Sequence, residues 1–274
     1  MKTDWHQDTI TLENGVELFY TRTGQGDKPA IVLAHGIADS GSCWHQLAGD
    51  LDAKYDLIMY DAQGHGKSSR IDPQKPVNLA EDLFGLIEAL NLEKPCVMGH
   101  SMGAAAAAEF AAAHPEKLTA LILEDPPWSD VETTAEQLSA TMQTWKKQNQ
   151  AAKKKTVKEL VGLKKKESPT WQEVILKEWA QAKLDVDPTI FDQPDLISRE
   201  WRQQASAIQV PTLIITGDPE LGAIVTIKLG LEAVKLLKFG EFGHISNAGH
   251  CVRYEQYGPY LAMVNLYLKH NLPA

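Results

Sequence analysis

Ser101 stands at the centre of Gly99-His100-Ser101-Met102-Gly103, between the apolar run Cys96-Val97-Met98 and an Ala-rich stretch from residue 104 to 113. The first run reads as the end of a short buried strand, and the second has helix-forming composition. A chain that turns from strand directly into helix forces its corner residue into a strained backbone, and glycines on either side avoid clashes with the neighbouring elements. Such a corner lifts the serine oxygen to the strand's carboxyl end, beside helix N–H groups that favour negative charge. This is the placement of a nucleophile. A serine hydroxyl needs a base within hydrogen-bond reach. Of nine histidines, His250 has the most suitable context, in the small-residue loop Ile245-Ser246-Asn247-Ala248-Gly249-His250-Cys251 between the last strand and the last helix. His244 competes with it but belongs to the strand itself.

The base must be oriented by an acid. Glu220, three residues beyond Gly217 and just past a strand over 212–216, is the expected acid. Asp125, at the end of a strand over 118–123, is one alternative. Asp218 is the other, although its short side chain suits a bond to the turn backbone. The developing oxyanion needs two backbone donors. The N–H of Met102 supplies one and that of Ile37 the other, from the loop His35-Gly36-Ile37-Ala38-Asp39-Ser40-Gly41. His35, in that same loop, is expected to hold the loop's shape by hydrogen bonding rather than to serve as a base. The expected machinery is therefore Ser101, His250 and Glu220, with Ile37 and Met102 as oxyanion donors, and with no cofactor and no metal.

These residues need elements to carry them. Thr9 to Tyr20 forms two alternating runs around Asn14-Gly15, a pair suited to the two positive-φ positions of a type I′ hairpin turn. Residues 30–34 and 55–60 are continuous apolar runs, as in strands buried on both faces. A helix is expected over 79–90, with Asn78 and Glu81 at capping-box spacing. The strand into Ser101, the Ala-rich helix, and strands at 118–123, at 212–216 and ending near His244-Ile245 follow. A helix over 254–269 closes the chain. Alternation of this kind predicts an α/β fold with a mostly parallel sheet and helices on both faces.

The segment 127–206 breaks the rhythm. Pro126-Pro127 ends the strand before it, and it is helix-rich in composition and punctuated by Ser168-Pro169, Asp187-Pro188 and Gln193-Pro194. Five of the seven tryptophans fall in it: Trp128, Trp145, Trp171, Trp179 and Trp201. It is expected to be a helical cap inserted into a core made of 1–126 and 207–274. Its tryptophans form its packing core, with one or two lining a substrate pocket.

Composition narrows the class. Hydrophobic residues at 43% and charged ones at 23% suit a globular protein of 274 residues. No run approaches the ~18 apolar residues of a membrane span, and the N-terminus is polar with no apolar signal core. A cytoplasmic protein, monomer or homodimer, without membrane attachment, is expected. Cys43, Cys96 and Cys251 fit no metal spacing and suggest reduced thiols. The net charge is −9, yet residues 129–206 hold 13 basic against 12 acidic side chains. The lysine runs at 153–155 and 164–166 are interleaved with acids and read as solvated helix faces rather than a nucleic-acid site.

Taken with these motifs, the chain resembles the capped subclass of the α/β-hydrolase superfamily over essentially its whole length. The likeness rests on His35-Gly36 after the third strand, Asp61-Ala62-Gln63-Gly64-His65-Gly66-Lys67-Ser68, the corner at Ser101, the Gly-x-x-acid at Glu220, and Gly249-His250. The family's order of nucleophile, acid and histidine is met by Ser101, Glu220 and His250. Two features depart from its pattern: Glu where Asp is more usual, and Gln63 where arginine is common. Gly64-His65-Gly66 reads as structural. The resemblance implies an eight-stranded-type sheet with a helical cap, and cleavage of a carboxylic ester or lactone of a small, fairly hydrophobic substrate through an acyl-enzyme. Carbon–carbon bond hydrolysis or cofactor-free perhydrolysis would use the same triad, and a ligand-sensing receptor would keep it only as a vestige. Haloalkane dehalogenase and epoxide hydrolase chemistry need a carboxylate nucleophile, which Ser101 is not.

Overall fold

The computed structural model describes residues 5–131, 133–193, 196 and 200–273. Of the positions singled out above, residues 1–4 and Pro194 lie outside these. Eight strands form one sheet in the order β1-β2-β4-β3-β5-β6-β7-β8. β1 (His6–Thr11) and β2 (Glu17–Arg22) form an antiparallel hairpin, and β2 pairs antiparallel with β4 (Asp56–Tyr60). From β4 onward all pairings are parallel, through β3 (Ala30–Ala34), β5 (Cys96–His100), β6 (Ala120–Glu124), β7 (Pro211–Thr216) and β8 (Phe239–His244). The expected type I′ turn is replaced by a longer one. Leu12 N–H donates to Val16 O and Gly15 N–H to Leu12 O, and of the central residues Gly15 has positive φ (83°) while Asn14 does not. A three-residue loop with glycine in the left-handed position also matches strand twist, so Asn-Gly alone does not choose between the two.

The central strands are buried on both faces because each divides its side chains between two cores. Val32, Ile58, Val97 and Leu121 point to one core, together with helices α2 (Leu79–Ala89) and α3 (Met102–Ala113). Ile31, Leu57, Met98 and Ile122 point to the other, with α1 (His45–Leu51) and, at the C-terminus, α10 (Tyr257–Asn271). Period-two alternation in a doubly covered sheet makes every position apolar, which is why these strands read as continuous runs. Asn78 caps α2 by accepting bonds from Ala80 and Glu81 N–H, one half of the capping box that its spacing suggests.

Between β6 and β7 run α4 (Ala135–Ala152), α5 (Val157–Glu167), α6 (Glu173–Asp185) and α7 (Trp201–Ala207). Thr134 with Gln137 and Thr156 with Glu159 complete capping boxes that start α4 and α5. The second lysine run occupies the last turn of α5, where cations complement the helix dipole. α6 packs on α5 and α4, and α7 packs instead on α3 and on α8 (Ile227–Leu236). All of α7 except its last residue thus lies within the expected cap bounds of 127–206, yet its main helix contacts are with α3 and α8 of the core. Trp128 stacks on Trp201 at 5.1 Å, and Trp201 Nε1–H donates to Ser129 O. Among the described residues no helix is long and apolar enough to cross a membrane.

Candidate active site

The site forms at the carboxyl ends of the parallel strands, where the direction of sheet growth reverses on either side of β3. β5 runs straight into α3, with Ser101 at the corner at φ 51° and ψ −116°. Such a conformation is strained for a residue with a side chain and persists only where its surroundings enforce it. Two glycines allow it. A Cβ on Gly99 would collide with the Gly103 carbonyl, and one on Gly103 with the Ala34 carbonyl. Ser101 N–H donates to Glu124 O at 3.0 Å, which ties the corner to β6.

Register then decides which acid is near. His100 pairs with Glu124, so Ser101 and Asp125 leave adjacent strands side by side. Asp125 is fully buried, has φ 41°, and accepts four bonds on its two carboxylate oxygens. Thr216 Oγ1–H (2.8 Å) and Val225 N–H (3.0 Å) donate to Oδ1. Ile224 N–H (2.8 Å) and His250 Nδ1–H (2.6 Å) donate to Oδ2. The loop from β8 to α9 (Val252–Glu255) crosses the end of β7, where Asp218 N–H donates to Ala248 O, and so brings His250 over β6.

Glu220 does not reach the histidine. It lies exposed in a single 3-10 turn, Pro219–Leu221. The loop expected to carry the acid instead turns back and offers Ile224 and Val225 N–H to Asp125. The expectation of Glu220 as the orienting acid is therefore corrected to Asp125. Asp218 accepts from Asn247 N–H at 2.7 Å and faces His244 at 2.8 Å, holding the loop as a turn aspartate does. His244 ends β8 and is engaged there, away from Asp125. The signal for Asp125 was its place immediately after β6, but using it required knowing that β6 lies beside β5.

Ser101, His250, Ile37 and Met102 line one cavity of about 390 Å³. No hydrogen bond joins Ser101 to His250 among the described residues, and bonds of this kind often close only when substrate is bound. Met102 is the first residue of α3, so its N–H has no acceptor within the helix. The Ile37 loop is held by two buried histidines. Ala62 N–H donates to His35 Nε2 (2.9 Å), which leaves His35 Nδ1–H to donate to Gly36 O (2.8 Å). Ala38 N–H donates to His65 Nε2 (3.1 Å), and His65 Nδ1–H to Gln63 O (3.0 Å). Burial lowers the pKa of both rings, which suits these neutral roles.

His100, inside the motif, was not given a role by the sequence. Its Nε2–H donates to the backbone carbonyl of His250 at 2.9 Å, and the two rings lie 4.7 Å apart. Beneath them Arg253 Nη1 donates to the buried Glu124 Oε2 at 2.8 Å, and Tyr260 OH donates to the same oxygen. Trp145, Trp171 and Trp179 line the cavity, whereas Trp128 and Trp201 are buried against each other. Cys43, Cys96 and Cys251 are all unpaired.

A strained serine between β5 and α3, with a histidine–aspartate pair from the ends of neighbouring strands, defines a serine-hydrolase type of site on an α/β sheet. The model of the alpha/beta hydrolase fold matches residues 29–256, and the chain belongs to this family. A curated relative, 3-oxoadipate enol-lactonase 2 of Acinetobacter baylyi, is 26% identical over 212 residues, covering 77% of this chain and 78% of its own. The bifunctional esterase/perhydrolase of Acinetobacter calcoaceticus is 24% identical over 246 residues, 85% of this chain and 88% of its own. Several other relatives align over 44% of this chain or less. Among solved structures, the enol-lactonase from Burkholderia xenovorans superposes with a TM-score of 0.76 at 20% identity, over 96% of this chain and 100% of that one. That likeness concerns the fold.

Proposed function

We propose that the protein is a serine hydrolase that cleaves a carboxylic ester or lactone of a small, fairly hydrophobic substrate through an acyl-enzyme. The observation that carries this reading is Ser101 at φ 51° opening on the same cavity as a His250 fixed by Asp125 at 2.6 Å. Asp125 takes the Nδ1–H bond, so Nε2 is left as the base that faces the reaction. Ser101 Oγ attacks the carbonyl carbon while its proton passes to His250 Nε2. The negative charge that develops on the carbonyl oxygen is met by the N–H groups of Ile37 and Met102, each worth about 3–4 kcal/mol in related sites. His250 then returns the proton to the departing alkoxide. In the second half it takes a proton from water, whose oxygen attacks the acyl carbon, and it passes that proton to the departing Ser101 Oγ, which restores both side chains. Every step is a proton or acyl transfer that these side chains complete themselves. The tryptophan lining favours an apolar substrate body. The names of the relatives, a lactonase and an esterase, point the same way.

The test uses 4-nitrophenyl esters from acetate to hexanoate, with a fluorophosphonate as a covalent probe. Wild type should turn the esters over and gain one phosphonyl adduct, mapped by peptide mass to Ser101. Ser101→Ala should lose the adduct and at least about 10⁴-fold in kcat. Retention of activity by Ser101→Ala would overturn the mechanism.

A further inference from the structure

Beyond the triad, the cavity holds one cation for which the reaction has no use. Lys183, on α6, lines the 390 Å³ cavity that contains Ser101. It also lines a second cleft of about 610 Å³ on the outer side, and Ile37, Trp145 and Trp179 are shared by both walls. Its ammonium carries three N–H donors. One is used, donating to Ala38 O at 2.7 Å, within the loop that presents Ile37. The Trp179 ring lies 5.5 Å from Nζ. Among the described residues no carboxylate comes within ion-pair distance of it. Asp39 also lines the inner cavity, but its Oδ2 is engaged by Tyr254 OH at 3.2 Å and faces Arg253 at 3.9 Å.

The surroundings reinforce this charge. The outer cleft is lined by Lys155, Lys164 and Lys183 with a single acid, Glu167, which is paired to Lys164 at 3.6 Å. This cleft is positively charged on a chain of net charge −9. A cation held partly out of water, with donors left over, is costly unless an anion meets it. Burial lowers the Lys183 pKa while the charge of Asp39 opposes the shift.

We propose that Lys183 is a specificity residue that binds a free carboxylate on the substrate, so the ester or lactone cleaved at Ser101 is a half-ester or lactone of an acid. A monoanion matches one ammonium with two open donors. The lysines of the outer cleft draw it towards the same junction, and the shared tryptophans cover the carbon chain between the two ends. This assignment rests on the hydrolase reading and gives it a substrate class.

The experiment compares mono-4-nitrophenyl esters of glutaric, adipic and pimelic acids with the same compounds masked as methyl esters. The quantity read is the ratio of kcat/KM, acid over masked, because loss of the Ala38 bond would disturb the oxyanion loop for both substrates alike. Wild type should prefer at least one acid by tenfold or more. Lys183→Gln, which keeps a donor for Ala38 O and removes the charge, should lower that ratio by roughly 10- to 100-fold, the range of a charge-assisted hydrogen bond. A ratio unchanged in Lys183→Gln, or a wild-type preference for the masked ester at all three lengths, overturns the proposal. A second arm titrates glutarate, adipate and pimelate into Ser101→Ala, with and without Lys183→Gln, followed by calorimetry. Lys183-dependent diacid binding without turnover of any ester would leave the carboxylate site standing and remove the hydrolase reading. Turnover with an unmoved ratio would do the reverse.

Discussion

At Asp125 both carboxylate oxygens are occupied by donors, and only one of the four donors, His250, belongs to the proposed triad. The three structural bonds, one of them from Ile224 N–H to Oδ2 itself, fix the carboxylate so that the remaining acceptor position of Oδ2 meets Nδ1–H of His250. Asp125→Asn would place an amide in the same pocket. Its oxygen can keep the Thr216 and Val225 bonds, and its NH₂ then faces His250 Nδ1, which selects the tautomer with the proton on Nε2. That tautomer cannot take the serine proton. We expect kcat to fall by about 10⁴-fold in Asp125→Asn and by less than about threefold in Glu220→Gln, measured on 4-nitrophenyl butyrate. A larger loss in Glu220→Gln than in Asp125→Asn would return the acid to the exposed turn. The residues readable in advance were those whose signal is local. Ser101 carries a five-residue motif between two recognisable elements, and His250 lies in a loop of small residues before the last helix. The acid had no such signature, because Glu220, Asp218 and Asp125 all follow strands. What separates them is strand order and the return of residues 222–225, both tertiary facts.

Elements that were buried on both faces announced themselves as apolar runs, and β3, β4, β5, β6 and β7 lie within two residues of where those runs predict them. β8 was harder. It is an edge strand reading Phe-Gly-Glu-Phe-Gly-His, half exposed and without a β-branched residue, so only its end near His244 was visible. α1 and α8 were not marked out, and in α8 Ile227 and Leu231 face solvent, which blurs its apolar stripe. The short α9 also escaped notice, yet it anchors the histidine loop. Arg253, its second residue, donates from N–H and Nη1 to Glu124, and its guanidinium lies 4.1 Å from the centre of the Trp44 ring. A buried ion pair adds little over an apolar pair of the same shape, but breaking one side leaves an uncompensated charge. Glu124→Gln should therefore cost about 3–5 kcal/mol in urea unfolding. The double variant Glu124→Gln/Arg253→Met should lose less than the two single losses added together. Additive losses would mean that the pair does not couple α9 to β6.

For the molecule as a whole, the buried neutral histidines set the response of stability to acid. His35, His65 and His100 hold the Ile37 loop and the His250 carbonyl, and burial lowers the pKa of each. In the unfolded chain a histidine titrates near ~6.5. Below that pH the unfolded state binds protons that the native state refuses, so the stability these groups contribute is complete above ~6.5 and is lost as pH falls. Asp82 works in the opposite direction. Burial pushes its pKa up to about 6, so the native state holds a proton that the unfolded chain has released, and acidification below 6 favours the fold through this group. Asn14 Nδ2–H donates to Asp82 Oδ1 at 3.0 Å, a bond that Asn can also accept. The three rings together outweigh Asp82, so acidification from about pH 7.5 to about 5.5 gives a net loss of stability. The urea midpoint should fall over that interval, and Asp82→Asn, which removes the opposing group, should deepen the loss by about 1 kcal/mol. A midpoint that holds or rises on acidification would mean that these rings carry protons in the folded state. The bonds that His35 Nε2 and His65 Nε2 accept from Ala62 and Ala38 N–H would then be impossible, and with them the support of the loop that presents Ile37.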